Sequence, residues 1–326
     1  MTSAARGHRR LAALLLVASS ALAGCSVIGG SDAAAPEPTP TPRTGPAETR
    51  HAVPYATTAP RQTLDLYLPA GDGRTVFPLV VLIHGGGFVD GSSAELSEVA
   101  TRLVGQGFAA ASLDYRLSGD APFPAGVQDV RAAVRYLRAN ALGWGVDPHR
   151  FAAWGESAGG YLASMIGATA AEKTFDDPAL GNPGVSSGVQ VVVSWFGPAD
   201  FGTMDAQAKE NGCDDAAQQH GAPDSPESRW LGGALDEVPD RVQEASVVRQ
   251  VGAASALPPF LLVHGTRDCT VPPGQSEELA GALRARGARV TLVRVEGAEH
   301  SDPRITAEQE QPSIDFLRTT FGLSSH

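Results

Sequence analysis

Residues 155–159 read Gly-Glu-Ser-Ala-Gly, a G-x-S-x-G pattern that can present a serine hydroxyl for attack on a carbonyl carbon. The apolar run Phe151–Trp154 precedes this pattern, and the helix-like segment Tyr161–Ile166 follows it. A strand, a sharp turn and a helix in that order lift the serine above the sheet edge, and flanking glycines let a substrate approach. A glycine-rich turn that only caps a helix would show the same five letters. The context favours Ser157 as a nucleophile, provided that partners for it follow.

Three glycines after another apolar run could supply the oxyanion hole that acyl transfer needs. The run Leu79–Ile83 has the length of a buried strand and is followed by a histidine and then by the glycines. Successive N–H groups in such a loop can point at one spot and stabilise a tetrahedral intermediate. We expect Gly86, Gly87 and Ala158 to donate these hydrogen bonds, with Gly85 as a further candidate. A phosphate-binding loop is disfavoured because no Lys-Ser/Thr follows the glycines.

A base and an acid for Ser157 follow later in the chain. The strand-like run Phe260–Val263 leads to Asp268, and the strand-like run Val290–Val295 leads to His300. The order serine, acid, histidine is that of α/β-hydrolases and differs from the orders in chymotrypsin and subtilisin. We predict His300 as the general base and Asp268 as the acid that orients it.

Other residues compete for these two roles. Asp200, which follows an earlier strand-like run, and Asp236 are alternatives for the acid. Asp302 is a weaker choice because it lies too close in sequence to the predicted base. His84 and His264 also follow apolar runs, and we expect them to shape loops, His264 by forming the turn that presents the acid.

The chain resembles the hormone-sensitive-lipase-like carboxylesterases and, more closely, the bacterial feruloyl and acetyl-xylan esterase-like α/β-hydrolases. The resemblance implies a mostly parallel central sheet with helices on both faces, and it gives Ser157, His300 and Asp268 the roles assigned above. It also implies a serine carboxylesterase for short-to-medium acyl, aryl or acetyl esters. The stretches that carry the resemblance are His84–Phe88, Asp114–Leu117, Gln128–Ala133, Gly155–Gly159, Trp195–Pro198, His264–Asp268 and Gly297–His300.

Two other functions stay open alongside the esterase. A serine peptidase of the prolyl-oligopeptidase type would add a propeller, for which this chain has no room. A non-catalytic ligand-binding lipoprotein with the hydrolase fold would not need to keep all three catalytic side chains. No Walker sequence, H-E-x-x-H motif or Cys/His cluster is present, so we expect no cofactor and no metal. The net charge of −11 argues against nucleic acid as a partner, and no required protein partner is indicated.

The N-terminus has the pattern of a bacterial lipoprotein signal. A basic start precedes the apolar core Leu11–Ala21, which is too short to span a bilayer as a mature helix. The tetrad Leu22–Cys25 resembles a lipobox, in which Cys25 is lipidated and becomes the first residue of the mature protein. An ordinary secretory signal with a coincidental cysteine is the alternative. We expect residues 1–24 to be removed and acyl chains on Cys25 to hold the protein at the outer face of the cytoplasmic membrane.

Composition divides the remaining chain into a tether and one domain. Residues 25–50 are rich in Pro, Ala and Thr, which cannot build a core, and residues 51–326 suit one α/β-hydrolase catalytic domain. Residues 51–55 and 63–68 read as an antiparallel edge of its sheet. Residues 128–139 read as an amphipathic helix.

Cys213 and Cys269 are the cysteines that remain after Cys25, and export would make them a natural disulfide pair. Two unpaired thiols are the alternative. The bridge would pin the loop after Asp268 to residues 201–250, a polar, proline-containing stretch that we expect to form a small irregular lid over the site. Four aromatic residues near the site either line its pocket or belong to the core: Phe88, Tyr115, Trp195 and Phe196.

Overall fold

The computed structural model describes residues 41–214, 216 and 219–323. The predicted signal segment 1–24, the predicted lipidation residue Cys25 and the predicted tether up to residue 40 lie outside these residues. In the part of the chain that is described, no helix has the length and apolar character needed to cross a bilayer.

Ten strands are formed by the described residues, and eight of them make one mixed sheet. The two others, β1 and β4, pair with each other as a small antiparallel sheet. The strands are β1 (Thr44–Gly45), β2 (Glu48–Pro54), β3 (Thr63–Leu68), β4 (Gly71–Asp72), β5 (Phe77–Ile83), β6 (Ala109–Leu113), β7 (Val146–Glu156), β8 (Val191–Trp195), β9 (Phe260–Gly265) and β10 (Val290–Val295).

The large sheet has the order β10-β9-β8-β7-β5-β6-β3-β2. The strands from β10 to β6 run parallel, and β3 and β2 add an antiparallel edge. This is the α/β-hydrolase architecture that the sequence predicts, with the antiparallel edge where it was expected. Because the strands are parallel, the carboxyl ends of β5, β7, β9 and β10 reach the same edge of the sheet, and the loops that follow them meet there.

Both faces of the central strands are buried, which explains their continuous apolar sequences. Val81 and Ile83 of β5 pack into the larger core, whereas Val80 and Leu82 pack into a second core on the opposite face. The alternation follows the two-residue period of a strand. A sheet of this kind needs helices on each face to exclude water.

Nine α-helices in the described residues supply that cover. Helices α1 and α9 bury apolar side chains in the smaller core, and α2, α3, α7 and α8 do so in the larger one. Helix α2 contains the predicted helix 128–139 and extends slightly beyond it. The bounds are α1 (Ser97–Gly105), α2 (Ala125–Asn140), α3 (Ala158–Ala168), α4 (Met204–Glu210), α5 (Pro226–Leu231), α6 (Pro239–Ala245), α7 (Val247–Ala253), α8 (Gly274–Ala285) and α9 (Pro303–Thr320).

The folded domain begins before residue 51, where the sequence placed the end of the tether. Strand β2 starts at Glu48, whose backbone pairs with Leu68 of β3. The Arg43 guanidinium donates to the Pro69 carbonyl at 2.9 Å and to the Glu48 carboxylate at 3.2 Å. The predicted boundary is therefore too late, because pairing with a distant strand, and not composition, sets where the fold begins.

The segment between β8 and β9 is more regular than the irregular lid expected for it. It contains α4 to α7, and hydroxyl caps explain two of these helices. The Ser225 hydroxyl accepts from the Ser228 N–H at the start of α5, and the Ser246 hydroxyl accepts from the Arg249 N–H at the start of α7. Trp230 of α5 is fully buried and stacks on Phe88 with ring centroids 4.4 Å apart. The segment therefore packs into the core as well as overhanging the sheet edge.

Candidate active site

Ser157 occupies the turn between β7 and α3 and has a strained backbone conformation. Its φ of 53° and ψ of −121° are unusual for a residue with a side chain. The turn requires glycine at 159, because an ideal Cβ there would lie 2.0 Å from the Ile83 carbonyl oxygen. The strain and this close approach are the features of a nucleophile elbow. The elbow presents the Ser157 hydroxyl at the carboxyl edge of the sheet.

The three side chains predicted to act together are hydrogen-bonded in a line. The Ser157 hydroxyl donates to Nε2 of His300 across 3.0 Å, and Nδ1 of His300 donates to Oδ2 of Asp268 across 2.7 Å. Asp268 follows β9 and His300 follows β10, so the parallel sheet brings both loops to Ser157. The arrangement can remove the serine proton and stabilise the resulting imidazolium.

Asp268 is fully buried and held by its own loop. Oδ1 accepts from the backbone N–H groups of Thr270 and Val271, each at 2.9 Å. His264 lies with Nε2 3.3 Å from Oδ2 and is itself fixed by the Ser276 hydroxyl. Burial alone would raise the pKa of Asp268, but the hydrogen bonds and charges of His264 and His300 lower it to about 2. The carboxylate therefore stays ionised, and His264 shapes the turn that presents it.

The alternative acids are engaged elsewhere. The Asp200 carboxylate accepts from the Gly202 N–H and from the Ser246 hydroxyl, the latter at 2.6 Å. Asp236 is exposed at a separate cavity. Asp302 caps the start of α9. The geometry therefore favours Asp268 over these three residues as the acid that orients His300.

A cavity of about 390 Å³ contains Ser157 and His300. In the portion of the chain described, the N–H groups of Gly86, Gly87 and Ala158 have no hydrogen-bond acceptor. These three residues line the cavity, so their donors are available to an oxyanion formed at the serine. Gly85 also lines it and approaches the Ser157 side chain, since an ideal Cβ on Gly85 would lie 3.3 Å from Ser157 Cβ.

His84 and Tyr115 hold the glycine loop from beneath. Their rings stack with centroids 4.5 Å apart, and the Tyr115 hydroxyl donates to the His84 carbonyl at 3.0 Å. Both side chains are buried, which fits the loop-shaping role predicted for His84. Tyr115 is therefore a support of the site and not part of its lining.

The remaining aromatic candidates divide between the cavity and the core. Phe88 and Phe196 line the cavity, and the Phe196 ring meets the His300 ring edge to face at 4.9 Å. Trp195 is buried, and its indole N–H donates to the Ser313 hydroxyl at 3.1 Å. Only two of the four predicted aromatics thus contribute to the surface that a substrate would meet.

Glu156, the residue before the serine, is a cavity-lining group that the sequence reasoning missed. Burial raises the pKa of Glu156 to about 7, the carboxylates of Glu310 and Glu95 add to this rise, and His300 opposes it. The signal in the sequence is a carboxylate at the end of a buried strand, directly beside the nucleophile. Pro226 and Glu227 of α5 also line the cavity and were not singled out either.

The predicted disulfide forms between Cys213 and Cys269, with the Cα atoms 5.6 Å apart. A hydrogen bond lies beside the disulfide: the Asn211 side-chain amide donates to the Asp268 backbone carbonyl at 3.1 Å. Together they attach the segment after α4 to the loop that carries the acid. As for metals, no group of three or more His, Cys, Asp or Glu residues within the described ranges could hold an ion.

Comparison with known proteins places this site in context. The BD-FAE family model matches residues 64–283. Esterase LipC of Mycobacterium tuberculosis is 29% identical over 79% of this chain, and isoprenylcysteine alpha-carbonyl methylesterase ICME of Arabidopsis thaliana is 30% identical over 74% of it. The chain spans 61% and 54% of the lengths of these two relatives.

Solved structures with the same fold include one whose title calls it a carbohydrate esterase. A truncated form of carbohydrate esterase from gut microbiota has a TM-score of 0.74 and 29% identity, covering 86% of this chain and 99% of that one. A bifunctional GH43-CE protein of Bacteroides eggerthii has a TM-score of 0.72 and 31% identity, covering 83% of this chain and 38% of its own.

Proposed function

Since the chain belongs to the BD-FAE family, we propose that it is a serine carboxylesterase in which Ser157 is the nucleophile, His300 the base and Asp268 the acid. The observation that carries the proposal is the hydrogen-bonded line from Asp268 through His300 to Ser157, the last two of which line the cavity. The esterase names of its relatives support the same reaction class.

The reaction begins when His300 removes the Ser157 proton as the serine oxygen attacks the ester carbonyl carbon. The carbonyl oxygen becomes an oxyanion that accepts hydrogen bonds from the Gly86, Gly87 and Ala158 N–H groups. The intermediate collapses, His300 gives its proton to the departing alcohol, and an acyl-serine remains. Water, deprotonated by His300, then attacks the acyl-serine; the bond to the serine oxygen breaks, His300 returns the proton to that oxygen, and the acid leaves with Ser157 restored. Asp268 stays ionised throughout and stabilises the imidazolium.

The substrate class we propose is a short-to-medium acyl ester. A cavity of about 390 Å³ that is shared by the nucleophile, the donors and apolar side chains leaves room for a small acyl group. Phe196, Pro198 and Val271 supply apolar surface to this cavity.

Hydrolysis of p-nitrophenyl esters of increasing acyl length tests the proposal. We expect turnover of the acetate and butyrate esters and a fall in kcat/KM for long chains, with turnover lost in Ser157→Ala. Folded protein without turnover, or turnover that survives Ser157→Ala, would favour a non-catalytic binding protein instead.

We further propose export and lipid anchoring through Cys25, with residues 1–24 as the signal peptide and a tether that ends near residue 41. The lipobox-like tetrad Leu22–Cys25 and the disulfide between Cys213 and Cys269 support this location, because disulfides persist in oxidising compartments. Labelling of the expressing bacterium with an alkyne fatty acid should tag the wild-type protein and not Cys25→Ser. Equal labelling of both proteins would contradict the assignment.

A further inference from the structure

A second imidazole, that of His264, reaches the catalytic acid and takes no part in the mechanism above. Its Nε2 lies 3.3 Å from Oδ2 of Asp268, the same oxygen that accepts from Nδ1 of His300 at 2.7 Å. The His264 side chain is 1% exposed and lies near the end of β9. One carboxylate oxygen is thus shared by two imidazoles, and only one of them belongs to the catalytic line.

The neighbours of His264 fix the position of its hydrogen. Nε2 lies 2.8 Å from the Val271 carbonyl oxygen, in addition to its longer contact with Asp268. A carbonyl and an ionised carboxylate can only accept hydrogen bonds, so Nε2 carries a hydrogen and donates to both. The Ser276 hydroxyl of α8 lies 2.7 Å from Nδ1 and holds the ring from the other side.

The loop after Asp268 closes around the His264 ring. The Val271 N–H donates to Oδ1 of Asp268 at 2.9 Å, and the Val271 carbonyl accepts from His264. The carboxylate is therefore held on both oxygens by one short stretch of chain. Among the groups that the structure describes, loss of the His264 imidazole would leave Oδ2 to His300 alone.

Two donors on one carboxylate oxygen oppose each other in their effect on the imidazole of the catalytic line. Burial raises the pKa of Asp268, and the hydrogen bond from His264 is the largest of the effects that lower it. A hydrogen bond that stabilises the carboxylate makes it less basic. A less basic Asp268 stabilises the protonated form of His300 less, which suits a base that must also give its proton back.

We propose that His264 is a positioning residue that limits how strongly Asp268 stabilises protonated His300, and that it thereby sets the lower end of the pH range in which the enzyme is active. The inference rests on the proposed esterase function and adds a fourth side chain to its machinery. His264 is not among the residues that line the Ser157 cavity, so it acts on the reaction only through Asp268 and His300.

Other charged groups surround the two imidazoles, and the variants described below leave all of them in place. Those that act on His300 or Asp268 come from β7, from the segment between β8 and β9, from the acid and histidine loops, and from α8 and β10. They are Glu156, His220, Arg267, Glu299, Asp302 and the Arg294–Glu277 ion pair. A change in the titration of His300 in these variants therefore reports the loss of the His264 donor.

Two substitutions of His264 and one of Ser276 test this role. His264→Asn keeps a polar atom near the position of Nδ1 and loses the donor to Asp268, whereas His264→Gln places an amide N–H near the position of Nε2. Ser276→Ala removes the other contact of the ring and leaves the donor in place, so it controls for disturbed packing.

The acid limb of the pH profile of kcat/KM is the readout, because its midpoint reports protonation of the base in the free enzyme. We expect the midpoint to rise in His264→Asn by about 0.5 pH unit or more, a change of about threefold in the protonation equilibrium of His300. The freed carboxylate then holds the imidazolium more tightly. His264→Gln and Ser276→Ala should stay within about 0.2 pH unit of wild type.

A midpoint that is unchanged or lower in His264→Asn would overturn the inference. An equal rise in Ser276→Ala would do the same, because disturbed packing would then explain the effect. The wild-type protein gives a check that needs no variant: in NMR spectra of protein with ¹⁵N-labelled histidine, Nε2 of His264 should carry hydrogen throughout the titration of His300. A His264 ring with hydrogen on Nδ1 alone would reject the assignment.

NMR titration of His300 in wild type and in His264→Asn separates this inference from the proposed function, since it needs no substrate. If no ester is hydrolysed, a rise of the His300 midpoint in the variant would still support the role of His264. Normal turnover with no shift of the midpoint would reject that role and leave the esterase assignment intact.

Discussion

Nε2 of His300 lies 3.0 Å from Oγ of Ser157, although 143 residues separate them in the chain. The parallel sheet creates this contact, since β7 and β10 end at the same edge. Asp268 completes the line at 2.7 Å from the other imidazole nitrogen. The relationship therefore depends on the loops that follow these strands.

The glycine loop should be intolerant of a side chain at Gly86. This residue has a φ of +95°, and an ideal Cβ on it would lie 2.2 Å from the Asp90 carbonyl oxygen. Gly86→Ala must therefore move the loop and displace its N–H donors, and we expect kcat to fall about 100- to 1000-fold. Gly119→Ala is the control, because nothing lies within 4 Å of its ideal Cβ. Steady-state kinetics of both variants make the comparison, and a kcat within twofold of wild type for Gly86→Ala would contradict the oxyanion assignment.

The disulfide should stabilise the fold and hold the acid loop. The bridge closes a loop with a sequence separation of 56 residues. For a loop of that size, chain entropy predicts about 4 kcal/mol, and measured values are about 2–4 kcal/mol. Replacing both Cys213 and Cys269 by Ser should lower the free energy of unfolding by about 2–4 kcal/mol. The replacement should also reduce kcat, because the loop after Asp268 is no longer covalently attached to the segment after α4.

Urea denaturation with and without reductant measures the disulfide's contribution. Wild-type protein should lose stability on reduction, whereas the double serine variant should not respond. If reduction leaves the unfolding midpoint of the wild type unchanged, the bridge contributes nothing and the prediction is wrong.

Glu156 should make stability depend on pH near neutrality. Its pKa rises from 4.5 to about 7 on folding, so the folded protein keeps a proton that the unfolded chain loses. The stabilisation is complete below pH 4.5 and is lost as the pH rises through 7. Glu156→Gln removes this dependence and should be more stable than wild type at pH 8, by at most about 3 kcal/mol.

Chemical denaturation at pH 5 and pH 8 checks the Glu156 prediction. Glu98→Gln, which changes an 86% exposed carboxylate on α1, is the control and should follow the wild-type pH profile. A Glu156→Gln profile parallel to that of wild type would show that the carboxyl group does not carry the shift.

The order of the elements and the three central side chains could be predicted from sequence for a physical reason. Strands buried on both faces are continuously apolar, and the loops after parallel strands meet at one edge. A polar residue after such a run, such as Asp268 or His300, can therefore be predicted to belong to the site before its contacts are known.

Features that depend on packing between distant segments could not be predicted in this way. The start of β2 depends on pairing with β3, and the pKa of Glu156 depends on burial and on Glu95 and Glu310, which are far away in sequence. The helices between β8 and β9 are short, and they are stabilised by caps and by the packing of Trp230 in the core. Composition does not reveal these contacts, and for this reason it suggested an irregular lid.

Covalent labelling with a fluorophosphonate tests the central claim most directly, because the reagent reacts with a serine only where a base and an oxyanion hole activate it. Mass spectrometry of the digested protein should find one adduct per chain, on Ser157. The adduct should be absent in Ser157→Ala and should form at least 100-fold more slowly in His300→Gln. Folded protein that takes no label, label on another residue, or equal rates in wild type and His300→Gln would contradict the account.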